Sequence, residues 1–287
     1  MTDQNNSIIN LGDLAKPATI LIEKISNAVG VVFEPYQIKR IAKANAEATR
    51  IEAFSKIEIS DLERRAMRRF VTEEAARQAN IENITRKSLP SLSESAHPRE
   101  IENDWIVDFF DKARLISDDQ MQELWSAILA GEANTPGKYS KRTINLLSSL
   151  DKSDAILFAN LCKFVWLFEG GAVPLIFDSQ NSIYVQNGIN FNSLKHLDSI
   201  GIISFEGVTN YERQGFGKST KVVYGDRIIQ LEFQAEKNNR INIGHAIFTD
   251  AGLQLTNICN PKSIPEMPEY ALKEWAKFSI KEINKDS

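Results

Sequence analysis

"MQELWSAILAGEANTPGKYSKRTINLLSSL", residues 121–150, decides how this chain is read. Met121, Leu124, Trp125, Ile128 and Leu129 recur at the three- and four-residue spacing that marks one face of a helix. Gly131 is placed to stop that helix, and Pro136-Gly137 to turn the chain. Ser140 can cap a following helix whose inner side carries Ile144, Leu147 and Leu150. The stretch predicts a helix-turn-helix corner. Lys138, Lys141 and Arg142 fall near the start of the second helix, where positive charge opposes the helix dipole. That mild cost points to an acidic neighbour, either Glu132 or another chain.

The same periodicity extends outward from the corner. Asn103 can cap a helix striped by Trp105, Ile106, Phe109, Phe110 and Ala113, and Ser117 with Gln120 has capping-box spacing. Asp118 and Asp119 suit a first helical turn, where negative charge favours the dipole. Beyond the corner, Asp151 or Ser153 opens AILFANLCKFVWLF, apolar nearly all round and so expected as a central core helix. These helices define a compact domain over residues 101–170.

Upstream, residues 1–35 are a polar start followed by a short amphipathic helix from Pro17, with Ile20, Leu21, Ile25, Val29 and Val32 on one side. Residues 36–86 are rich in Ala, Glu, Lys and Arg and predict an extended helical arm. Ile38, Ile41, Ala42 and Ala46 form one stripe; Leu62, Ala66, Phe70 and Val71 form another, with a break plausible around KIEIS. An arm of that length needs a helix to pair with, so self-association through it is expected. Arg64, Arg65, Arg68 and Arg69 share a helix side within ERRAMRRF, and Glu63, Asp61, Glu73 and Glu74 partly neutralise them. Residues 87–100, with two prolines and several serines, read as a linker.

Downstream the pattern changes. A helix through Phe191, Leu194, Leu197 and Ile200 ends at Gly201 and is followed by IISF, then KVVYGDRIIQLEF and RINIGHAIF as strands. Thr249 caps a returning helix in TDAGLQL, and residues 263–287 close the chain as an amphipathic helix. Residues 171–262 therefore predict a winged-helix-like α+β domain. The fold class is mainly α with a smaller α+β part: a long N-terminal helical arm, a central helical domain and that C-terminal domain.

Composition narrows the function. A net charge of -4 and a pI near 5.6 give no global pull toward nucleic acid or an anionic membrane. Two cysteines, Cys162 and Cys259, suit a reducing compartment, and the start lacks a basic, apolar leader, so a cytoplasmic location is expected. The apolar stretch after Pro17 is interrupted by Glu23, Lys24, Ser26 and Asn27, so no transmembrane segment is expected.

Chemistry-bearing patterns are sparse. His97, His196 and His245 lie far apart without ligand-spaced neighbours, so neither a metal nor another cofactor is expected. GFGKST, residues 215–220, has Gly-Lys-Ser but lacks the earlier glycine, with Glu212 in that place, and a strand-like KVVYG follows it. It reads as a wing tip. Cys162 sits in the most apolar helix, where a thiol is ordinarily packing. With no nucleophile–base pair and no serine elbow, no catalytic residue is expected.

The run DDQMQELWSAILAGEANTPGKYSKRTINLLSSLDKSDAILFANLC, with FEPYQIKRIAKANAEA before it, resembles a bacterial domain-of-unknown-function family, 2806. LKHLDSIGII and FTDAGLQL, with the Pro-led arm and the Trp-bearing helix, are also loosely similar to alpha-type abortive-infection proteins of phage defence. The resemblance implies no activity for any residue; the looser one implies a phage-defence or prophage-associated role. The expectation is a non-enzymatic cytoplasmic interaction protein that binds a protein partner. Its contact surface is placed at Arg64, Arg65, Arg68 and Arg69 together with Lys138, Lys141 and Arg142. A DNA-binding regulator and a peripheral membrane effector are the alternatives, with nucleic acid the less favoured partner because the helix before IISF is balanced in charge.

Overall fold

The computed structural model describes residues 15–30, 60–259 and 261–283. The stripe of Ile38, Ile41, Ala42 and Ala46 and the KIEI break lie outside the described residues. The chain divides into two compact units between Lys141 and Arg142. The first is helical; the second mixes helices with antiparallel sheet.

In the first unit, α1 (Lys16–Val29) begins with Pro17 in its first turn and ends at Gly30, whose φ of 70° makes the left-handed stop. It buries Ala18, Leu21, Ile22 and Ile25. That side packs against α3 (Asn103–Ala113) and the 3-10 turn Pro98–Glu100, so it is not offered to a membrane. α2 (Asp61–Ser88) packs its second half on α4 (Asp119–Asn134) through Ile81 and Ile84. The centre is aromatic: Trp105 stacks on Phe109 at 5.0 Å, and Phe109 meets Trp125 edge-on at 5.1 Å. Burying such rings contributes more than any other side chains here. The Trp105 indole N–H donates to the Tyr139 carbonyl at 2.7 Å, tying α3 to the turn after α4. Residues 89–100 are tied down as well: Asn134 bonds the Ser93 amide and the Ser91 carbonyl, and the His97 amide bonds the Ala133 carbonyl.

Two expectations for this unit change. Gly131 does not stop α4, which continues to Asn134. It stays small because a Cβ there would meet the Tyr139 ring at 2.8 Å. The cap of α4 is Asp118 rather than Ser117; its carboxylate accepts the Gln120 and Met121 amides, both at 3.0 Å.

The second unit opens with α5 (Lys141–Ser149), whose first residue falls at the division, and α6 (Lys152–Cys162). The predicted core helix AILFANLCKFVWLF is corrected here. Only its first part is helical, and that part is one-sided, with Phe158, Leu161 and Cys162 buried and Ile156 55% exposed. The aromatic and β-branched VWLF instead forms β1 (Val165–Phe168) and pairs with β2 (Gly171–Pro174). Gly170 and Gly171, at φ of 93° and 123°, make the turn that a helix would forbid.

The main sheet is antiparallel in the order β2-β1-β5-β6-β9. β5 (Ser219–Tyr224) and β6 (Arg227–Glu232) form a hairpin, and β9 (Lys281–Glu282) lies at the edge. Thr220, Val222 and Tyr224 alternate inward along β5, as a half-buried strand requires. α7 (Ser182–Val185) precedes α8 (Phe191–Ser199), which leads through Gly201 into β3 (Ile203–Phe205). β3 pairs with β8 (Ala246–Phe248), and between them β4 (Tyr211–Phe216) pairs with β7 (Asn239–Gly244). α9 (Asp250–Thr256) follows β8. Its Thr249 cap accepts the Gly252 amide at 3.0 Å, as expected.

α10 (Met267–Ala276) is shorter than the amphipathic pattern to Ile283 suggests. Ser279 at φ 61° turns the chain back so that Lys281 and Glu282 join the sheet. Its Trp275 is fully buried, meets Trp166 edge-on at 5.3 Å, and donates to the Asn242 carbonyl at 2.8 Å. No described helix is long and apolar enough to cross a membrane.

Candidate functional site

The first part of α2 is exposed along its whole length among the described residues. From Asp61 to Phe70 every residue is exposed, and the large apolar side chains Leu62, Met67 and Phe70 are 68, 46 and 59% exposed. Its start is nonetheless secured locally. The Glu63 carboxylate accepts the Ser60 amide at 2.8 Å and the Ser60 hydroxyl at 2.9 Å, a capping box that also holds the Glu63 carboxyl below its usual pKa.

Helical phase explains which side is left open. Phe70 precedes Ile81 by about three turns and Ala66 precedes Ile84 by about five, at 3.6 residues per turn. Phe70, Met67 and Ala66 therefore share the side of α2 that carries Ile81 and Ile84, with the Glu74–Arg77 pair between the two apolar patches, and the first patch is exposed. Covering a large apolar side chain contributes about 1.5–3 kcal/mol when complete, so this side has a substantial free energy to gain from a partner.

The arginines lie on the other side of the helix. Arg64 pairs with Asp61 at 3.0 Å and Arg69 with Glu73 at 3.4 Å, while Arg65 and Arg68 make no ion pair among the described residues. Exposed pairs of this kind contribute little, roughly 0–1 kcal/mol. Arg77 bonds Glu74, closing a sequence of acid, base, acid and base blocks along one helix.

The corner residues sit on different elements. Lys138 lies in the turn after α4 with its ammonium 5.6 Å from the centre of the Tyr139 ring. Lys141 and Arg142 are exposed at the start of α5. No hydrogen bond or ion pair among the described residues joins them to the α2 arginines. The turn itself is built by Glu132, which is 2% exposed and accepts the Gly137 amide at 2.6 Å and the Tyr139 amide at 2.9 Å. Burial raises the Glu132 carboxyl above its ordinary pKa, and the amides of Gly137, Tyr139 and Lys138 work against that rise. Glu132 thus serves backbone amides, not the lysines for which sequence reasoning suggested it. An acid four residues before Pro136 is the sequence signal for this.

Several histidines and cations of the second unit are engaged by neighbours. His196 Nε2 lies 2.7 Å from Asp154 Oδ1, a contact across 42 residues that no spacing reveals. Burial tends to raise the Asp154 carboxyl, but bonds from His196 and the Asp151 amide outweigh it and leave the pKa lowered. His245 Nδ1 faces the Glu206 and Thr209 carbonyls. Of the basic residues on β4 and in the turn after it, Arg213 bonds the Glu169 carbonyl at 3.1 Å and lies 5.6 Å from the Phe168 ring centre, and Lys218 bonds the Gln234 carbonyl at 3.0 Å. GFGKST links β4 to β5 and precedes a strand, so it has no helix to aim amides at a phosphate.

These features define a helical unit carrying an amphipathic helix whose first half is exposed among the described residues, followed in sequence by an α+β unit. The chain belongs to the family described as Protein of unknown function (DUF2806), which it matches over residues 64–270. Neither the curated proteins nor the solved structures contain a significant match.

Proposed function

We propose that this protein is a non-enzymatic interaction module whose docking element is the first half of α2, and that the first partner of that element is a second copy of the chain. The observation that carries the reading is the uncovered side holding Leu62, Met67 and Phe70, continuous in phase with the side that Ile81 and Ile84 bury. The charge blocks favour an antiparallel copy. With the two-fold axis near Arg69, the basic block of residues 64–69 in one helix runs alongside the acidic Glu73–Glu74 block of the other, and Met67 comes opposite Val71. The mass of the full chain in solution tests this, with Leu62→Asp/Phe70→Asp as the disrupting variant.

In such a pair Arg65 and Arg68 point away from the seam and stay available to an acidic partner. That arrangement supports a binding role in phage defence or in a prophage-borne system. The second unit supports a winged-helix-like reading by its order alone: α8, β3, an inserted β-rich segment, β8 and α9. DNA binding is not favoured, because Lys195 pairs with Asp198 at 2.9 Å, His196 with Asp154, and Arg213 with backbone carbonyls. Duplex affinity depends on free cations that neutralise phosphates, and these are committed elsewhere.

A further inference from the structure

The outward side of the main sheet carries an apolar row that the core of the second unit does not use. Trp166, Val222 and Ile229 are fully buried on the inward side, and alternation along each strand turns their neighbours the other way. The register sets Ala172 beside Leu167, Leu167 beside Val223 and Val223 beside Ile228, one row across four strands. Ala172 and Val223 are half-buried, whereas Leu167 is 51% and Ile228 69% exposed. Against this row lies a cleft of about 640 Å³, within the size range of small-molecule sites. Val165, Leu167, Ala172 and Val223 floor it, and the segment after α9, with Pro261, Lys262 and Ser263, forms the opposite wall. That wall is held in place. The Tyr224 hydroxyl donates to the Lys163 carbonyl at 2.7 Å and accepts the Ile264 amide at 2.8 Å. Gly225 lies so close to the Ser263 side chain that a Cβ there would overlap it.

We propose that this cleft binds an amphiphilic anion: an acyl-chain carboxylate whose chain lies on Leu167 and Val223 and whose head group meets Lys262. The floor offers apolar surface and no side-chain hydrogen-bonding group, so a ligand gains there by covering it and not by polar contacts. The charge at the cleft comes from Lys163, Lys262 and Asp226. Two lysines against one aspartate favour a negative head group over a positive one. Lys163 is turned to Asn187, with its ammonium 3.4 Å from the amide oxygen. Lys262 is exposed and makes no ion pair among the described residues, so it is the cation free to meet the carboxylate. The covered row also explains why Leu167 and Ile228 stay apolar at positions that face out of the sheet.

The test titrates the full chain with dodecanoate, kept below the concentration at which it forms micelles, and follows the heat. Binding should saturate at one site per chain. Leu167→Asp, at a side chain already half exposed, should weaken it about tenfold or more, the factor carried by covering a large apolar side chain. Lys262→Glu should weaken it several-fold, and dodecyltrimethylammonium, with the same chain and the opposite charge, should bind the wild type at least about tenfold more weakly. Leu62→Asp/Phe70→Asp should bind dodecanoate as the wild type does, which separates this cleft from the apolar side of α2. In the wild type the methyl NMR signals of Leu167 and Val223 should shift during the titration, a reading that needs no variant to fold. Absence of saturable binding, equal affinity for the two head groups, unchanged affinity in Leu167→Asp, or shifts confined to other methyl groups overturns the proposal.

Discussion

The Glu132 carboxylate accepts the Tyr139 backbone amide at 2.9 Å, across the Pro136-Gly137 turn and in an interior that leaves the acid 2% exposed. The corner read from residues 121–150 is therefore held by one buried side chain bonded to backbone, and by the Trp105 indole on the Tyr139 carbonyl.

Glu132→Gln should destabilise the chain. Its amide nitrogen would face one of the two N–H donors now served by oxygen, and a buried donor without a partner costs about 1–3 kcal/mol. Urea unfolding of the two proteins measures the difference. An unchanged midpoint would mean that the turn does not depend on this acid.

Gly131→Ala and Gly252→Ala should behave differently although both glycines are helical. At Gly131 the new methyl meets the edge of the Tyr139 ring at 2.8 Å, and alanine's helix preference of about 1 kcal/mol offsets part of the clash. At Gly252 it meets the Ile202 carbonyl oxygen at 1.9 Å, and backbone cannot step aside as a side chain can. The second substitution should cost roughly 1–3 kcal/mol or more, and thermal melts should rank it clearly below the first.

The Asp154–His196 contact gives a pH signature. The Asp154 pKa is lowered in the folded state, so its contribution to stability is present above the unfolded carboxylate range and is lost as pH falls through the folded value. His196→Ala should therefore lower stability near neutral pH and narrow toward the wild type in acid. A difference that grows as pH falls would contradict the assignment.

Much of this architecture was legible because it is periodic. The Trp105–Ala113 and Met121–Leu129 stripes, the Thr249 cap and the β5–β6 hairpin follow from local spacing and turn chemistry. Contacts between distant residues were not legible. Nothing near Asp154 announces His196, and Arg213 looks like a free cation until its carbonyl partners are seen. VWLF was misread because an apolar run carries no period; the two glycines after Glu169 were the better guide. For the proposed surface, the Leu62, Ala66 and Phe70 stripe was legible from its spacing, whereas the exposed Met67 beside it was not.

Charge reversal separates the two sides of α2. Arg65→Glu/Arg68→Glu should leave association and the thermal melt nearly unchanged but abolish any phage-protection phenotype. A doubled mass that is lost in Arg65→Glu/Arg68→Glu would contradict the placing of these two arginines away from the seam.

Light scattering of the full chain at roughly tens of micromolar, where even modest affinities populate the complex, is the decisive measurement. The wild-type chain should give about twice its 32.3 kDa chain mass, and Leu62→Asp/Phe70→Asp should return it to one chain with an unchanged melt. A wild-type mass of one chain throughout that range, or a doubled mass that survives both substitutions, would contradict docking through α2.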